Sequence, residues 1–334
     1  MMNNLKFALR PSLRSRGQVQ EGMDQVKKML EASASSITRA ASTQTYYTIR
    51  FLVDRDRVEN AYRAYAYFRW VDDILDADSI SGPERIAFVE RQESLLDSCY
   101  RDRIPGDTSI QERMLVELVR QDHEKNSGLQ LYLRNMMQVM DFDARRRGRL
   151  ISQKELDDYT RWLATAVMEC IHYFIGHDDF APHDETRYLA VSGAHITHML
   201  RDTFDDLQTG YYNIPGEALE ENHIEPQDTG SDAYRLWVKS RVQLAREYFW
   251  AGKGYFARVQ NLRCRLACFA YVARFEGLLD TFEREGYRLR PCYSERKSPR
   301  SALQTGWLAL SALLHWRRAE TLAAPAVSHH TGKL

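Results

Sequence analysis

The stretch "YFRWVDDILDAD", residues 67–78, sets Asp72, Asp73, Asp76 and Asp78 in a segment whose apolar residues otherwise fall at helical spacing. Extended upstream, "VENAYRAYAYFRWVDDIL" (58–75) has apolar positions at threes and fours, the period of a half-buried helix. Like charges at that spacing cost roughly 0.2–0.5 kcal/mol per pair, so water or a cation has to compensate for the aspartates. With 3.6 residues per turn, Asp72 and Asp76 share one face, and Arg69 belongs to the same stripe.

The arrangement occurs again at "HMLRDTFDDL" (198–207): Asp202 and Asp206 share a face, Arg201 adjoins them and Asp205 flanks them. Aspartate is a poor interior helix residue, so the repetition needs a reason. Both segments carry apolar neighbours, Phe68, Trp70, Val71, Ile74 and Leu75 in the first and Ile196, Met199, Leu200 and Phe204 in the second. These are half-buried helices. Two solvated acidic faces are one reading. The other is that the stripes face each other and hold Mg²⁺, which takes oxygen ligands, keeps some waters and bridges carboxylates to substrate phosphates. Like unit charges 4 Å apart repel by about 1 kcal/mol in water and about 4 at an effective dielectric of 20, so aspartates hold a diphosphate only through divalent cations. Arg69 and Arg201 would add charge-assisted hydrogen bonds to phosphate oxygens. A diphosphate held this way is a leaving group. An allylic cation left behind needs a dry, aromatic pocket. Tyr62, Tyr65, Trp70, Tyr159, Trp162 and Phe204 offer rings, each also readable as ordinary core.

Outward from the two stripes, the chain reads as helix throughout. "SGPERIAFVERQESLLDSCY" (81–100) opens on Ser and Pro, a helix entrance. In "SQKELDDYTRWLATAVMECIHYFIG" (152–176), Ser152 and Glu155 make a capping box and Gly176 is the stop. Residues 184–210, 230–259 and 264–286 are further long helical patterns. No alternating strand run, low-complexity tract or repeat of solenoid period occurs. The expectation is an all-α protein, one domain with a bundle core over 39–322, preceded by an N-terminal segment (1–38) and followed by a flexible tail (323–334).

The 334 residues carry no formal net charge, which argues against a nucleic-acid partner. "DARRRGRL" (143–150) is a local basic run and reads as a solvated face. Five cysteines, with no CxxC pair, fit a reducing compartment, and the cytoplasm is the expected location. Cys264 and Cys268 share a helical face, which fits buried thiols better than zinc. No signal peptide and no membrane-spanning run are expected. "GWLALSALLHW" (306–316) reads as a core helix, with a peripheral membrane contact as the other reading.

"YRAYAYFRWVDDILDAD" together with "HITHMLRDTFDD" resembles the squalene/phytoene synthase family of head-to-head prenyl transferases. That family carries two Asp-xxx-Asp motifs on facing helices of an all-α, isoprenoid-synthase-like bundle with a central cavity. The resemblance implies that Asp72, Asp76, Asp202 and Asp206 bind two or three Mg²⁺ ions with diphosphate, and that Arg69 and Arg201 contact the diphosphate. "STQTYY" (42–47) resembles the family's N-terminal diphosphate-contacting segment, which adds Thr43, Thr45 and Tyr46. "ELDDYTRWLATAV" (155–167) resembles the helix whose tyrosine, here Tyr159, steers the rearrangement. The implied reaction joins two allylic prenyl diphosphates, farnesyl or geranylgeranyl, through a cyclopropylcarbinyl diphosphate. NADPH use and oligomeric state stay open.

Several positions depart from the family pattern. His195 and His198 stand where it has Gln and Asn, and they extend the Asp202–Asp206 stripe. His198 is either an altered catalytic group or a hydrogen-bonding substitute for Asn; His195 reads as structural. Thr165 and Met168 occupy glycine positions, where side chains would shorten or reroute a prenyl channel. Tyr211 and Asn213 replace an Arg and a Tyr near the site. These changes keep the ionisation machinery and alter the pocket, which leaves a class I terpene cyclase or altered prenyl transferase, using a single prenyl diphosphate, as the alternative. A non-catalytic prenyl-lipid binder is a third reading, which would not need both acidic clamps.

Overall fold

A computed structural model of the chain describes residues 34–293. The first part of the expected N-terminal segment, the "GWLALSALLHW" stretch and the expected C-terminal tail lie outside the described residues. Among the described residues there is no strand. A helical stretch over 34–41 leads into α1 (Thr43–Leu52), α2 (Val58–Asp76), α3 (Gly82–Tyr100), α4 (Ile110–Arg120), α5 (Gly128–Arg146) and α6 (Gln153–Phe174). A single 3₁₀ turn (Glu185–Tyr188) precedes α7 (Leu189–Thr209), α8 (Gly216–Asn222), α9 (Asp232–Arg258) and α10 (Leu262–Arg284).

Local chemistry sets these boundaries. Ser152 accepts from the Glu155 amide, and Glu155 accepts from the Ser152 amide at 2.8 Å, so the expected capping box forms and opens α6. Ser109 and Glu112 do the same for α4. Ser42, Ser127, Ser231 and Asn261 cap α1, α5, α9 and α10 with side-chain oxygens. Each satisfies an amide that the first helical turn leaves without a partner. Gly210 ends α7 in the left-handed region at φ 85°, where a side chain would be strained.

Packing then decides which faces meet. The most extensive contacts are α5 on α6 and α7 on α9. α2 packs on α4 and α5, and α6 packs on α7. One buried apolar core runs through these helices, with Tyr67, Phe249, Tyr255, Phe256, Phe269 and Phe282 among its largest members. Cys264 and Cys268 are fully buried free thiols, as expected.

The α7–α9 contact depends on Gly252. A Cβ there would stand 2.7 Å from the Ala190 amide nitrogen and 2.9 Å from its Cα. Because the obstacle is backbone, a helix has to move rather than a side chain. Gly252→Ala is therefore expected to destabilise by about 1–3 kcal/mol, the range for overpacking. At about 2–4 °C per kcal/mol, the melting temperature should fall by several degrees. An unchanged Tm would mean that the two helices are not in this register.

Candidate active site between the acidic stripes

The two aspartate stripes do face each other. Asp72 and Asp76 from α2 and Asp202 and Asp206 from α7 line one cavity of about 220 Å³. α6 contributes Tyr159 and Leu163 to its wall, α7 adds His195, His198 and Met199, and the turn after α7 adds Tyr211 and Asn213. The C-terminal turns of α5 supply Asp143 and Arg146.

Those last two residues correct the reading of 143–150 as a solvated run. Arg145 is exposed and pairs with Asp141 and Glu90, as a solvated charge does. Arg146 is buried at 6% exposure. Its Nε donates to Asp143 Oδ1 at 2.6 Å and its Nη1 donates to Asn213 Oδ1 at 3.0 Å. Its guanidinium lies over the rings of Tyr211 (4.7 Å), Tyr159 (5.0 Å) and Phe142 (5.7 Å). The Tyr159 hydroxyl donates to Asp143 Oδ2 at 3.0 Å. The Asn213 amide donates to Asp206 Oδ2 at 2.5 Å. The only sequence signal for Arg146 was its spacing: three residues after Asp143, it sits on the same helix face.

The electrostatics follow from crowding carboxylates in a partly dry cleft. Burial, then the neighbouring Asp76, raises Asp72 from 3.8 to about 6 against the pull of Arg69. Burial raises Asp206 to about 7, with Asp202 adding to the rise and the Asn213 hydrogen bond opposing it. Asp76 is raised by burial and then by Asp143. Such a site favours a positive ligand. Among the described residues no group of three or more His, Cys, Asp or Glu side chains is close enough to hold a metal ion alone. The donors are nonetheless all carboxylate oxygens on two opposed walls. That suits Mg²⁺, which needs only one or two carboxylates and completes its shell with water and phosphate.

The remaining expected residues are placed as follows. Arg69 pairs with Asp72 at 3.3 Å and with Asp73, on its own helix. Arg201 grips Asp202 through Nε and Nη2, while its Nη1 is buried without a hydrogen-bond partner. An acceptor oxygen is the group that position lacks. Thr45 donates to Ser42 Oγ at 2.8 Å, and Tyr46 stacks on Tyr62 with ring centres 5.4 Å apart. Thr43, Thr45 and Tyr46 sit on α1, outside the cavity lining. Thr165 is half-buried and Met168 fully buried on α6, also away from that wall. His198 lines the cavity with its ring 4.9 Å from that of Phe275.

His195 also lines the cavity, and burial, then Arg146, lowers its pKa to about 3, so it is a neutral imidazole. The Thr160 hydroxyl donates to the Leu156 carbonyl at 2.8 Å, so its oxygen accepts from His195 Nδ1 at 3.1 Å. This leaves Nε2 as the unprotonated nitrogen. The structural reading of His195 accounts for that hydrogen bond; its place on the wall was not legible from sequence.

The squalene/phytoene synthase family model matches residues 38–304, most of the chain. The chain belongs to the squalene/phytoene synthase family. That family consists of prenyl transferases, so its membership fits the opposed aspartates. A presqualene diphosphate synthase of Zymomonas mobilis is 26% identical over 233 residues, 69% of this chain and 74% of that protein. A 15-cis-phytoene synthase of Synechocystis is 28% identical over 141 residues, 40% of this chain. That match spans 41% of the cyanobacterial protein. In fold, the family member resembles the squalene synthase HpnC from Alicyclobacillus acidocaldarius, with TM-score 0.62, 18% identity, and 80% of this chain and 97% of that one covered. It also resembles a dehydrosqualene synthase solved in complex with ligand, with TM-score 0.63, 16% identity, and 88% and 99% covered. Among the described residues of this family member, no helix is long and apolar enough to cross a membrane.

Proposed function

We propose that the protein condenses two allylic prenyl diphosphates head to head, in a Mg²⁺-dependent reaction passing through a cyclopropylcarbinyl diphosphate. The observation that carries this reading is the meeting of Asp72, Asp76, Asp202 and Asp206 across one cavity. A binder of neutral lipid would gain nothing from four carboxylates that repel each other in a half-dry cleft.

Asp72 and Asp76 on one wall and Asp202 and Asp206 on the other would hold the Mg²⁺ ions. Bound there, Mg²⁺ supplies the positive charge that lets diphosphate depart. Arg201, with its unpartnered Nη1, and Arg69 at the cavity edge would bind phosphate oxygens. Thr43, Thr45 and Tyr46 would reach a bound diphosphate only if α1 shifts inward. Leu75, Leu163 and Met199 form the apolar part of the cavity wall, against which a prenyl chain would pack. Tyr159 turns its proton to Asp143, which leaves the phenol oxygen lone pairs for a carbocation while its ring packs on the Arg146 guanidinium. Burial, followed by Asp143, raises the Tyr159 pKa, so it stays a phenol. Met168 and Thr165 would act from behind the wall, limiting how far prenyl chains extend along α6.

The test is incubation with farnesyl and, separately, geranylgeranyl diphosphate plus Mg²⁺, with and without NADPH. Hydrocarbons and phosphatase-treated intermediates are then weighed by mass spectrometry. The expected product has twice the carbon number of the substrate, and its NADPH dependence distinguishes a squalene-type from a phytoene-type product. A product of unchanged carbon number would replace this reading with a single-substrate cyclase. The same assay on Met168→Gly should show wider chain-length tolerance; an unchanged profile removes that residue from the channel.

A further inference from the structure

We infer that Arg146 is a positioning residue that orients Asp206 through the Asn213 amide while its other arm fixes Asp143 and Tyr159. The inference rests on the diphosphate-binding reading of the cavity.

A buried cation needs one carboxylate partner for neutrality, and Asp143 supplies it. Arg146 does more than that. Its planar guanidinium donates from Nε to Asp143 on its own helix and from Nη1 to Asn213, 67 residues away in sequence. A guanidinium has no acceptor, so only the carbonyl oxygen of Asn213 can face it. The amide NH₂ of Asn213 then has to point the other way, where it meets Asp206 Oδ2 at 2.5 Å. A flipped amide would set NH₂ against guanidinium and carbonyl oxygen against carboxylate, two repulsive contacts. Arg146 thus fixes the polarity of Asn213. Asn213 in turn occupies one oxygen of Asp206 and leaves the other free to face the cavity.

The second arm runs the same way. Asp143 gives Oδ1 to Arg146 and Oδ2 to the Tyr159 hydroxyl, so its orientation sets that of Tyr159. The rings of Phe142, Tyr159 and Tyr211 enclose the guanidinium and hold its plane. One side chain of α5 therefore aligns groups on α6, on α7 and in the turn after α7. Lysine would keep the charge, but an ammonium on a flexible stem cannot hold both directions at once.

The experiment is calorimetric binding of inorganic pyrophosphate at saturating Mg²⁺ to wild type, Arg146→Lys, Asn213→Ala and the double variant. Groups that orient metal ligands typically contribute 10–100-fold in affinity, so each single variant should bind about tenfold more weakly. The double variant should also be about tenfold weaker, because the second change removes nothing that still acts. Additive losses near 100-fold would overturn the inference, since the two residues would then act independently. So would wild-type binding by Arg146→Lys. Asn213→Asp keeps the bond to Arg146 but cannot donate to Asp206, and it provides the test should Arg146→Lys not fold. It should bind at least as weakly as Asn213→Ala, and wild-type binding by it would refute the relay. Wild-type protein that binds no pyrophosphate would sink both this inference and the proposed function, whereas an additive cycle sinks only the inference.

Discussion

Asp202→Asn is expected to lower kcat/KM by at least about 10²-fold, because charge neutralisation at a departing diphosphate accounts for several kcal/mol and each 1.4 kcal/mol is tenfold in rate. The substitution keeps the shape of the side chain, removes its charge and turns one acceptor oxygen into a donor, so one of the two Arg201 hydrogen bonds is lost with it. Asp202 lies on the cavity wall with a third of its side chain exposed and is gripped by Arg201, so the amide costs little in packing. The melting temperature should therefore stay within a few degrees of wild type. The two readouts together separate the roles. Lost turnover with a preserved Tm assigns Asp202 to the chemistry. Near-normal turnover would remove it from the diphosphate site and with it the reason for two opposed stripes.

The ligand-free protein should lose stability as pH rises from about 4 to about 7. Asp206 is raised from 3.8 to about 7 and Asp72 from 3.8 to about 6, so across this window the native state keeps protons that the unfolded chain has released. Stability falls with pH wherever the native state binds more protons. At about 1.4 kcal/mol per pKa unit the Asp206 contribution has an upper bound of about 4 kcal/mol. The Asp72 side chain is 42% exposed, so solvent screening cuts its share well below its shift. Glu112 and Glu155 work in the opposite direction: hydrogen bonds, from Arg91 and Arg149 first, hold both near 2, so their contribution is lost as pH falls below about 4.5. The optimum should therefore lie between about pH 4 and 4.5, where the two opposing slopes cancel. Mg²⁺ with pyrophosphate, by favouring ionised aspartates, should lift the alkaline limb and move the optimum upward. Calorimetric Tm values from pH 4.5 to 8, with and without those ligands, give the answer. A ligand-free Tm that climbs steadily to pH 8 would mean the carboxylates are not crowded as described.

Local signals carried far into the structure. Ser152, Glu155 and Gly210 act within a turn or two of their own helices, so their effect is legible from spacing alone. The same holds for the shared face of Asp72 and Asp76 and that of Asp202 and Asp206, because helical period is a property of the segment itself. The C-terminal end of α5 shows where this stops. In the run 143–150, Arg145 faces solvent and Arg146 is buried at the cavity, yet each has an aspartate one turn before it, so local spacing does not say which of the two the fold buries. The difference comes from Asn213 and Tyr211, brought there by the turn after α7. Thr165 and Met168 show the converse, since a position in a matched motif does not say which side of the helix faces the cavity.

The sequence by itself determined the helical class, most of the long helices, several of their caps and the two acidic stripes, since each depends on interactions within a few residues. Only the tertiary structure decided that the stripes oppose each other, that Asp143 joins them and that Arg146 links Asp206 to Tyr159. Those relations join side chains far apart in sequence, 67 residues for the Arg146–Asn213 hydrogen bond and more for the opposed stripes, and they exist only once burial has chosen which helix faces meet.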